Sequence, residues 1–487
     1  MKVVPSIEEV RELANTGKYD VVPVSCEILS DFTTPIETIR ILKNASTHAY
    51  MLESAQSDEK WGRYTFLGFD PKLEITCING EITYGNKTEK TDNPSKIIRE
   101  ILSGFKSPRL PYLPSFTGGL VGYFSYDYQT YAEPTAKCDV IDEENFKDVD
   151  LMLFDKVIAF DHVRQKLILI TNMSLEDIDS GYAEAVGELK ELIDLLKNGA
   201  KSEEQEGRLL GEVTPLFSKE EYCAMVEKAK NYIHEGDIFQ IVLSNRLSAP
   251  FEGSLLNTYR ILRTVNPSPY MFYFAGTDVE VAGASPETLV KLENGVLHTF
   301  PLAGTRPRGK TEEEDKRLEE ELLADEKELA EHNMLVDLGR NDLGKISKFG
   351  TVEVEKLRSI ERYSHVMHIG STVRGQIAEG YDALDAIEAV LPAGTLSGAP
   401  KIRACQLIGE LENNKRGIYG GAIGYIDFTG NMDTCIAIRI AYKKNGKVFV
   451  RSGAGLVADS VPEKEFEECI NKAKAVISSL NLAQEVE

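Results

Sequence analysis

The chain has 487 residues, 42% apolar and 27% charged, a globular composition with room for two or three domain-sized cores, which excludes a disordered chain. A net charge of -23 repels polyphosphate backbones and acidic membranes, so no nucleic acid and no membrane is expected as a partner, and any anionic ligand needs locally placed cations. The seven cysteines are scattered and never spaced C-x-x-C, which argues against a disulfide framework or zinc cluster and fits a reduced, cytoplasmic setting.

The N-terminal MKVVPSIEEV lacks a long apolar run and carries a Ser6-x-x-Glu9 capping box, so it reads as the start of a helix rather than a signal peptide. No stretch of ~18 apolar residues is present to span a bilayer. Up to about residue 197 short helical patterns mix with hairpin-like β text such as LEITCINGEITYG and KVIAFDHVRQKLILIT, which is α+β material. The polar segment KNGAKSEEQEGRLLGEVTP, 197 to 215, has no period and marks a boundary between an N-terminal region, 1–200, and a second domain, 213–487. Ser218-x-x-Glu221 then caps a helix with Tyr222, Met225, Val226 and Ala229 at helical spacing, and GDIFQIVLSNRL follows as a strand.

GTRPRGKT, Gly304 to Thr311, fits the phosphate-loop pattern letter for letter. Pro307 removes an amide the phosphate cradle would use, and the following EEEDKRLEEELL repels a triphosphate, so a nucleotidase is rejected and a charged loop remains. In ELAEHNMLVDLGRNDLG, Glu328, Glu331, Leu335 and Leu338 fall on one helical face, so two carboxylates share a face with apolar groups. AGTLSGAPK is a Gly-rich turn running into a helix with Pro400 near its start, able to hold a carboxylate or serving as an ordinary turn. In RSGAGLVADSVPEKEFEECINKAKAV, Gly453-Ala454-Gly455 can offer amides to an anion, and Glu465, Glu468 and Lys472 repeat the paired-carboxylate pattern. Two such pairs could hold Mg²⁺ between them, or each could be a charged helix face.

Taken together and in order, PLAGTRPRG, ELAEHNMLVDLGRNDLG, YSHVMH, GTLSGAPK, YGGAIGY, DTCIAIR and GAGLVADSVPEKEFEE resemble the chorismate-utilising enzymes, and among them the large-subunit family of anthranilate synthases. The resemblance spans nearly the whole chain and is densest from about 218 to 475. It implies an α+β fold of mainly antiparallel sheets forming a sandwich with surrounding helices. It also implies Mg²⁺-dependent amination of chorismate with ammonia, then pyruvate elimination to anthranilate, the first step of tryptophan biosynthesis. Relatives that make aminodeoxychorismate typically carry a nucleophilic lysine where Ala303 stands, and those that activate water carry a lysine base at the position of Gln240. Neither residue here can do that chemistry, which leaves ammonia as the attacker.

By the same resemblance Glu331 and Glu468 ligate the metal with Glu465 and Glu328 in support, and Lys472 balances the carboxylates. Tyr419, Arg439 and the amides of Gly453, Ala454 and Gly455 hold a substrate carboxylate, while Gly304 and Thr305 line the ring pocket. His368 protonates the leaving hydroxyl with Thr395 orienting it, although the acid and base roles stay open among His368, Glu287 and Glu328. Ser54 in MLES and Pro269, Tyr270 and Met271 in NPSPYMFYF resemble a feedback site for L-tryptophan. No G-x-C-x-G nucleophile loop of an amidotransferase occurs, so glutamine use implies a separate amidotransferase subunit, component II, in a heterotetramer.

Overall fold

The computed structural model describes residues 1–55, 62–362 and 366–486. Its strands form two antiparallel sheets packed face to face. One runs from the edge strand Val3–Val4 through Val21–Leu29, Lys166–Ser174, Lys156–Asp161, Tyr64–Phe69 and Ala49–Glu53 to Tyr270–Ala275, Glu280–Ser285, Ile440–Lys444, Lys447–Leu456 and Gln240–Glu252. The other runs from Leu302–Pro307 through Val366–Gln376, Val296–Thr299, Thr288–Glu293, Met432–Ile436 and Ala422–Asp427 to Gly119–Phe124, Val149–Phe154 and Leu73–Ile78. Helices cover both outer faces, which is the α+β sandwich expected.

The period-2 alternation of strand side chains produces these layers. In Tyr270–Ala275, Phe272 and Phe274 enter an aromatic core between the sheets with Tyr50, Phe116, Phe154, Tyr442 and Phe449. Met271, Tyr273 and Ala275 point the other way, into a core shared with the helices Pro35–Ala45, Ile178–Asn198 and Leu256–Val265. The second sheet's outer face packs on Ala383–Val390 and on Val336 and Leu343 of the helix Glu326–Gly344.

Local signals behave as their chemistry requires. Both capping boxes form, at Ser6 with Glu9 and at Ser218 with Glu221. The hairpin between Leu73–Ile78 and Glu81–Tyr84 turns on Asn79 and Gly80 at φ 50° and 79°, a left-handed pair that Asn-Gly tolerates. The polar stretch after Asn198 is partly paired: Arg208–Leu209 and Thr214–Pro215 both bridge to Gln240–Glu252. Strands from before 200 and after 213 share both sheets, because Ala49–Glu53 pairs with Tyr270–Ala275 and Gly119–Phe124 pairs with Ala422–Asp427. All seven cysteines are free, and among the described residues no helix is long and apolar enough to cross a membrane.

Candidate active site

The supposed phosphate loop begins as an edge strand. Leu302–Pro307 pairs with Val366–Gln376, and an irregularity between Ala303 and Thr305 puts Gly304 at φ 69°. That kink turns the Gly304 carbonyl onto His368, whose Nδ1 lies 3.0 Å from it and 3.0 Å from Thr305 Oγ1. A carbonyl only accepts, so Nδ1 carries the proton and Nε2 is the nitrogen with a lone pair. Burial lowers the His368 pKa, the Gly304 bond opposes this, and the charge of Arg439 lowers it further. Downstream, Arg308 forks onto Asp315 and Gly309 N–H donates to the same carboxylate, so the loop's cation is neutralised by its own helix.

The helix Glu326–Gly344 starts at Asp325, whose carboxylate accepts from the amides of Lys327 and Glu328. Arg306 pins this start, 2.8 Å from Asp325 and 3.3 Å from Glu328. Glu331, one turn on, has its pKa raised by burial, then by the charges of Glu328 and Glu468, with Lys327 and Lys472 opposing. Across from it the helix Pro462–Leu482 carries Glu465, raised by burial and by Glu468. Lys472 Nζ lies 2.8 Å from Glu468 and donates to the Gly453 carbonyl at 3.2 Å. The two glutamate pairs thus stand in one another's field with more negative than positive charge. Among the described residues no group of three or more His, Cys, Asp or Glu side chains is close enough to form a cage. Mg²⁺ does not require one, since it keeps several waters and takes one or two carboxylates plus an anionic ligand. Like-charged carboxylates within one another's field, Glu331 and Glu465 half-buried and Glu468 exposed, fit such an ion.

Glu287 sits in the turn between Glu280–Ser285 and Thr288–Glu293 and accepts a hydrogen bond from Thr395 Oγ1 at 2.9 Å. Burial pushes its pKa up to about 7, against the Thr395 bond and the charges of Arg439 and Lys472. Arg439 itself occupies the turn that takes the chain from one sheet to the other, at φ 54°, and touches Asn266 Oδ1 at 3.2 Å. A non-glycine residue held there is a local strain of the kind that functional sites retain.

Lys447–Leu456 is paired to Ile440–Lys444 only as far as Val450, so from Arg451 onward that edge is no longer laddered to a strand among the described residues, while the other is laddered to Gln240–Glu252. Gly453 is required there: a Cβ would stand 3.0 Å from the Tyr419 hydroxyl and 2.8 Å from the Leu243 carbonyl. A Cβ on Gly455 would stand 3.1 Å from Gln240 Nε2. Gln240 is 4% exposed, and its Oε1 has no hydrogen-bond partner among the described residues. Thr395 thus bonds Glu287, and Lys472 bonds both Glu468 and the Gly453 carbonyl, while the charge of Arg439 reaches His368 and Glu287 and those of Lys472 and Glu468 reach Glu331, which puts these residues and Tyr419 in one neighbourhood. Glu287 carries no motif signal of its own in GASPETLV; its half-buried position and raised pKa come from the crossing of two sheets. Tyr363 to His365 of YSHVMH lie outside the described residues.

Ser54, Pro269, Tyr270 and Met271 come together elsewhere. They line a cavity of about 110 Å³, with Phe66, Tyr425, Lys291 and Asp433 among its other walls; Met271 borders it while also belonging to the helix-side core. Met271 pairs with Glu53, which places Ser54 beside Pro269 and Tyr270. Tyr270 donates to Asp433 at 2.8 Å and lies 2.9 Å from the hydroxyl of Thr288, the residue after Glu287.

Residues 47–478 match the family described as chorismate binding enzyme. The chain is 46% identical to an anthranilate synthase component 1 of Acetivibrio thermocellus, over 99% of each chain. It is 47% identical to that of Aquifex aeolicus over 99% of this chain and 98% of the other. The crystal structure of anthranilate synthase component I from Streptococcus pneumoniae superposes with a TM-score of 0.78 at 36% identity, covering 92% of this chain and 98% of that one. The isochorismate synthase MenF of Escherichia coli shares the fold, with a TM-score of 0.71 at 18% identity over 97% of this chain and 98% of the other. A family match over residues 47–478 and full-length identity near one half lead to one family: the chain belongs to the chorismate-binding enzymes, among the anthranilate synthase component 1 proteins.

Proposed function

We propose that this chain aminates chorismate at C2 with ammonia, expels the C4 hydroxyl, and then eliminates pyruvate to leave anthranilate. The observation that carries the choice of nucleophile is Gln240, buried beside Gly455 where the substrate wall bends; an amide cannot deprotonate water, whereas ammonia needs no base to attack. Ala303, on the edge strand beside His368, offers no covalent alternative.

Glu331 and Glu468 would hold Mg²⁺, with Glu328 and Glu465 in support, and the ion supplies Lewis-acid stabilisation of charge developing at the substrate carboxylate and leaving group. Arg439, Tyr419 and the open edge at Gly453 to Gly455 grip the second carboxylate, and a guanidinium suits that planar group. Gly304 and Thr305 line the ring's position. Glu287, about half protonated near neutrality, gives its proton to the departing hydroxyl while Thr395 fixes its orientation. His368, neutral with its proton at Nδ1, is suited to accept a proton at Nε2, so the acid role passes from it to Glu287. The test is the purified chain with chorismate, Mg²⁺ and ammonium, followed by anthranilate fluorescence. Build-up of isochorismate or aminodeoxychorismate instead would overturn the assignment. Glutamine is expected to replace ammonium only after a separate amidotransferase component is added, in a heterotetramer; glutamine-dependent turnover by this chain alone would contradict that.

The second cavity is read as the site of feedback inhibition by L-tryptophan. It has apolar walls for an indole and the Ser54 hydroxyl at its rim, and the hydrogen-bonded step from Tyr270 to Thr288 ends next to Glu287. Tryptophan there must favour an arrangement that binds chorismate poorly, and chorismate must weaken tryptophan binding by the same factor. Ser54→Ala and Met271→Thr are expected to raise the tryptophan needed for half-inhibition by about tenfold or more, with uninhibited turnover within a few-fold of the parent. Full sensitivity in both variants would place the site elsewhere.

A further inference from the structure

Behind the wall made by Tyr419 and Gly453 lie three charged side chains that no step above uses. Glu412, Arg416 and Arg451 are each at most 1% exposed. Glu412 Oε1 accepts from Ser244 N at 2.7 Å, Ser244 Oγ at 3.0 Å and Arg416 Nη2 at 2.6 Å. Its Oε2 accepts from Arg416 Nε at 3.0 Å and Arg451 Nη2 at 2.7 Å. Burial alone would raise the Glu412 pKa, but the two arginines reverse that and hold it ionised.

The remaining donors reach out to neighbouring segments, to backbone and side-chain oxygens alike. Arg416 donates to the carbonyls of Leu396 at 2.7 Å and Val242 at 2.8 Å. Arg451 donates to Asn414 Oδ1 at 2.7 Å, the Lys415 carbonyl at 3.2 Å and Ser244 Oγ at 2.8 Å. The Arg416 guanidinium also lies 4.4 Å from the centre of the Tyr126 ring and 5.8 Å from that of Tyr419.

Stability does not account for the triad. Desolvating three charges takes about as much as their attraction returns, and apolar residues of equal volume often serve as well. What directed charged bonds add is placement. The triad joins four segments far apart in sequence, and each bears a residue of the cleft: Leu396 follows Thr395, Val242 and Ser244 follow Gln240, Lys415 and Arg416 precede Tyr419, and Arg451 precedes Gly453. We infer that Arg416, with Glu412 and Arg451, is a positioning set that fixes the carboxylate-binding wall of the active site without touching substrate. The inference rests on the chorismate reading of the cleft.

Arg416→Lys keeps the charge but loses the planar fork, so it cannot serve Leu396, Val242 and both Glu412 oxygens at once. The full chain with Mg²⁺ and ammonium is assayed for kcat and chorismate KM, with melting temperature and tryptophan affinity by calorimetry alongside. A wall displaced equally for substrate and transition state raises KM and leaves kcat, so the folded variant is expected to show a chorismate KM up by about tenfold, kcat within about threefold and tryptophan affinity within about twofold. Ser244→Ala removes only the hydroxyl between Glu412 and Arg451 and is expected to raise KM by about threefold with the same split, deciding the matter should Arg416→Lys not fold. A parent that turns over chorismate while the folded variants keep its KM overturns the positioning role alone. Parallel loss of chorismate and tryptophan binding does so too, since it marks general loosening. A parent that makes no anthranilate overturns the functional reading beneath it.

Discussion

Replacing Glu287 with glutamine is expected to lower kcat by about 10²- to 10⁴-fold, the span over which a positioned acid contributes, while making the fold more stable above neutral pH. The two effects share one cause. The Glu287 pKa is pushed up to about 7, chiefly by burial, so the acid form is the one the fold prefers. A folded pKa above the unfolded value contributes stability that is complete below the unfolded pKa and is lost as pH rises through the folded one. At pH 8 the parent therefore holds an unwelcome carboxylate, and the neutral amide relieves it by on the order of 1–2 kcal/mol. Catalysis follows the same proton: kcat/KM of the parent, which reports the free enzyme, is expected to fall as pH rises through about 7. Thermal melts of both proteins at pH 6 and 8, beside pH profiles of kcat/KM, check the pair of effects. A Gln variant with parental turnover, or one no more stable at pH 8, would remove Glu287 from the acid role.

Glu331→Gln and Glu468→Gln are each expected to lower kcat/KM at limiting Mg²⁺ by about a hundredfold or more, because an ion that offsets developing charge is worth several kcal/mol. Calorimetry should show weakened Mg²⁺ binding in both. The metal-free variants offer an independent sign. Burial and the charges of Glu328 and Glu468 raise the Glu331 pKa, so in the absence of metal its ionised form opposes folding as pH rises above the usual carboxylate range. Glu331→Gln should then melt at a higher temperature than the metal-free parent at neutral pH, and the order should reverse when Mg²⁺ is added, since only the parent gains from the ion. Equal Mg²⁺ affinity in parent and variants would refute the metal assignment.

Much of the layout was legible from residue spacing. Capping boxes, an Asn-Gly turn and the alternation in NPSPYMFYF are local, and local chemistry forms them wherever the chain goes. The glutamate pairs were legible as faces, since i and i+3 share a side of any helix. That the two helices face each other was not, because it depends on which strands neighbour one another. Glu287 illustrates the limit: nothing in its neighbours sets it apart, and its raised pKa comes from burial where the two sheets cross, against the opposing effects of Thr395, Arg439 and Lys472, three groups brought from distant segments. The triad around Glu412 was invisible for the same reason, its partners lying between 4 and 168 residues away. The segments around Ser54 and Tyr270 lie on different halves of the chain, but the halves are stitched strand to strand rather than stacked as separate bodies.

That stitching bears on how the chain is made. Strand Ala49–Glu53 waits for its neighbour Tyr270–Ala275, and Gly119–Phe124 waits for Ala422–Asp427, so neither sheet can close while the ribosome is still on the first half. At ~5–20 residues per second the earlier strand spends about 10–40 s with one edge unpaired. An unpaired edge is a template for other chains. Nascent chains of this protein accordingly have a long window in which a chaperone matters, and a polypeptide ending near residue 200 would be an incomplete sheet rather than a small domain.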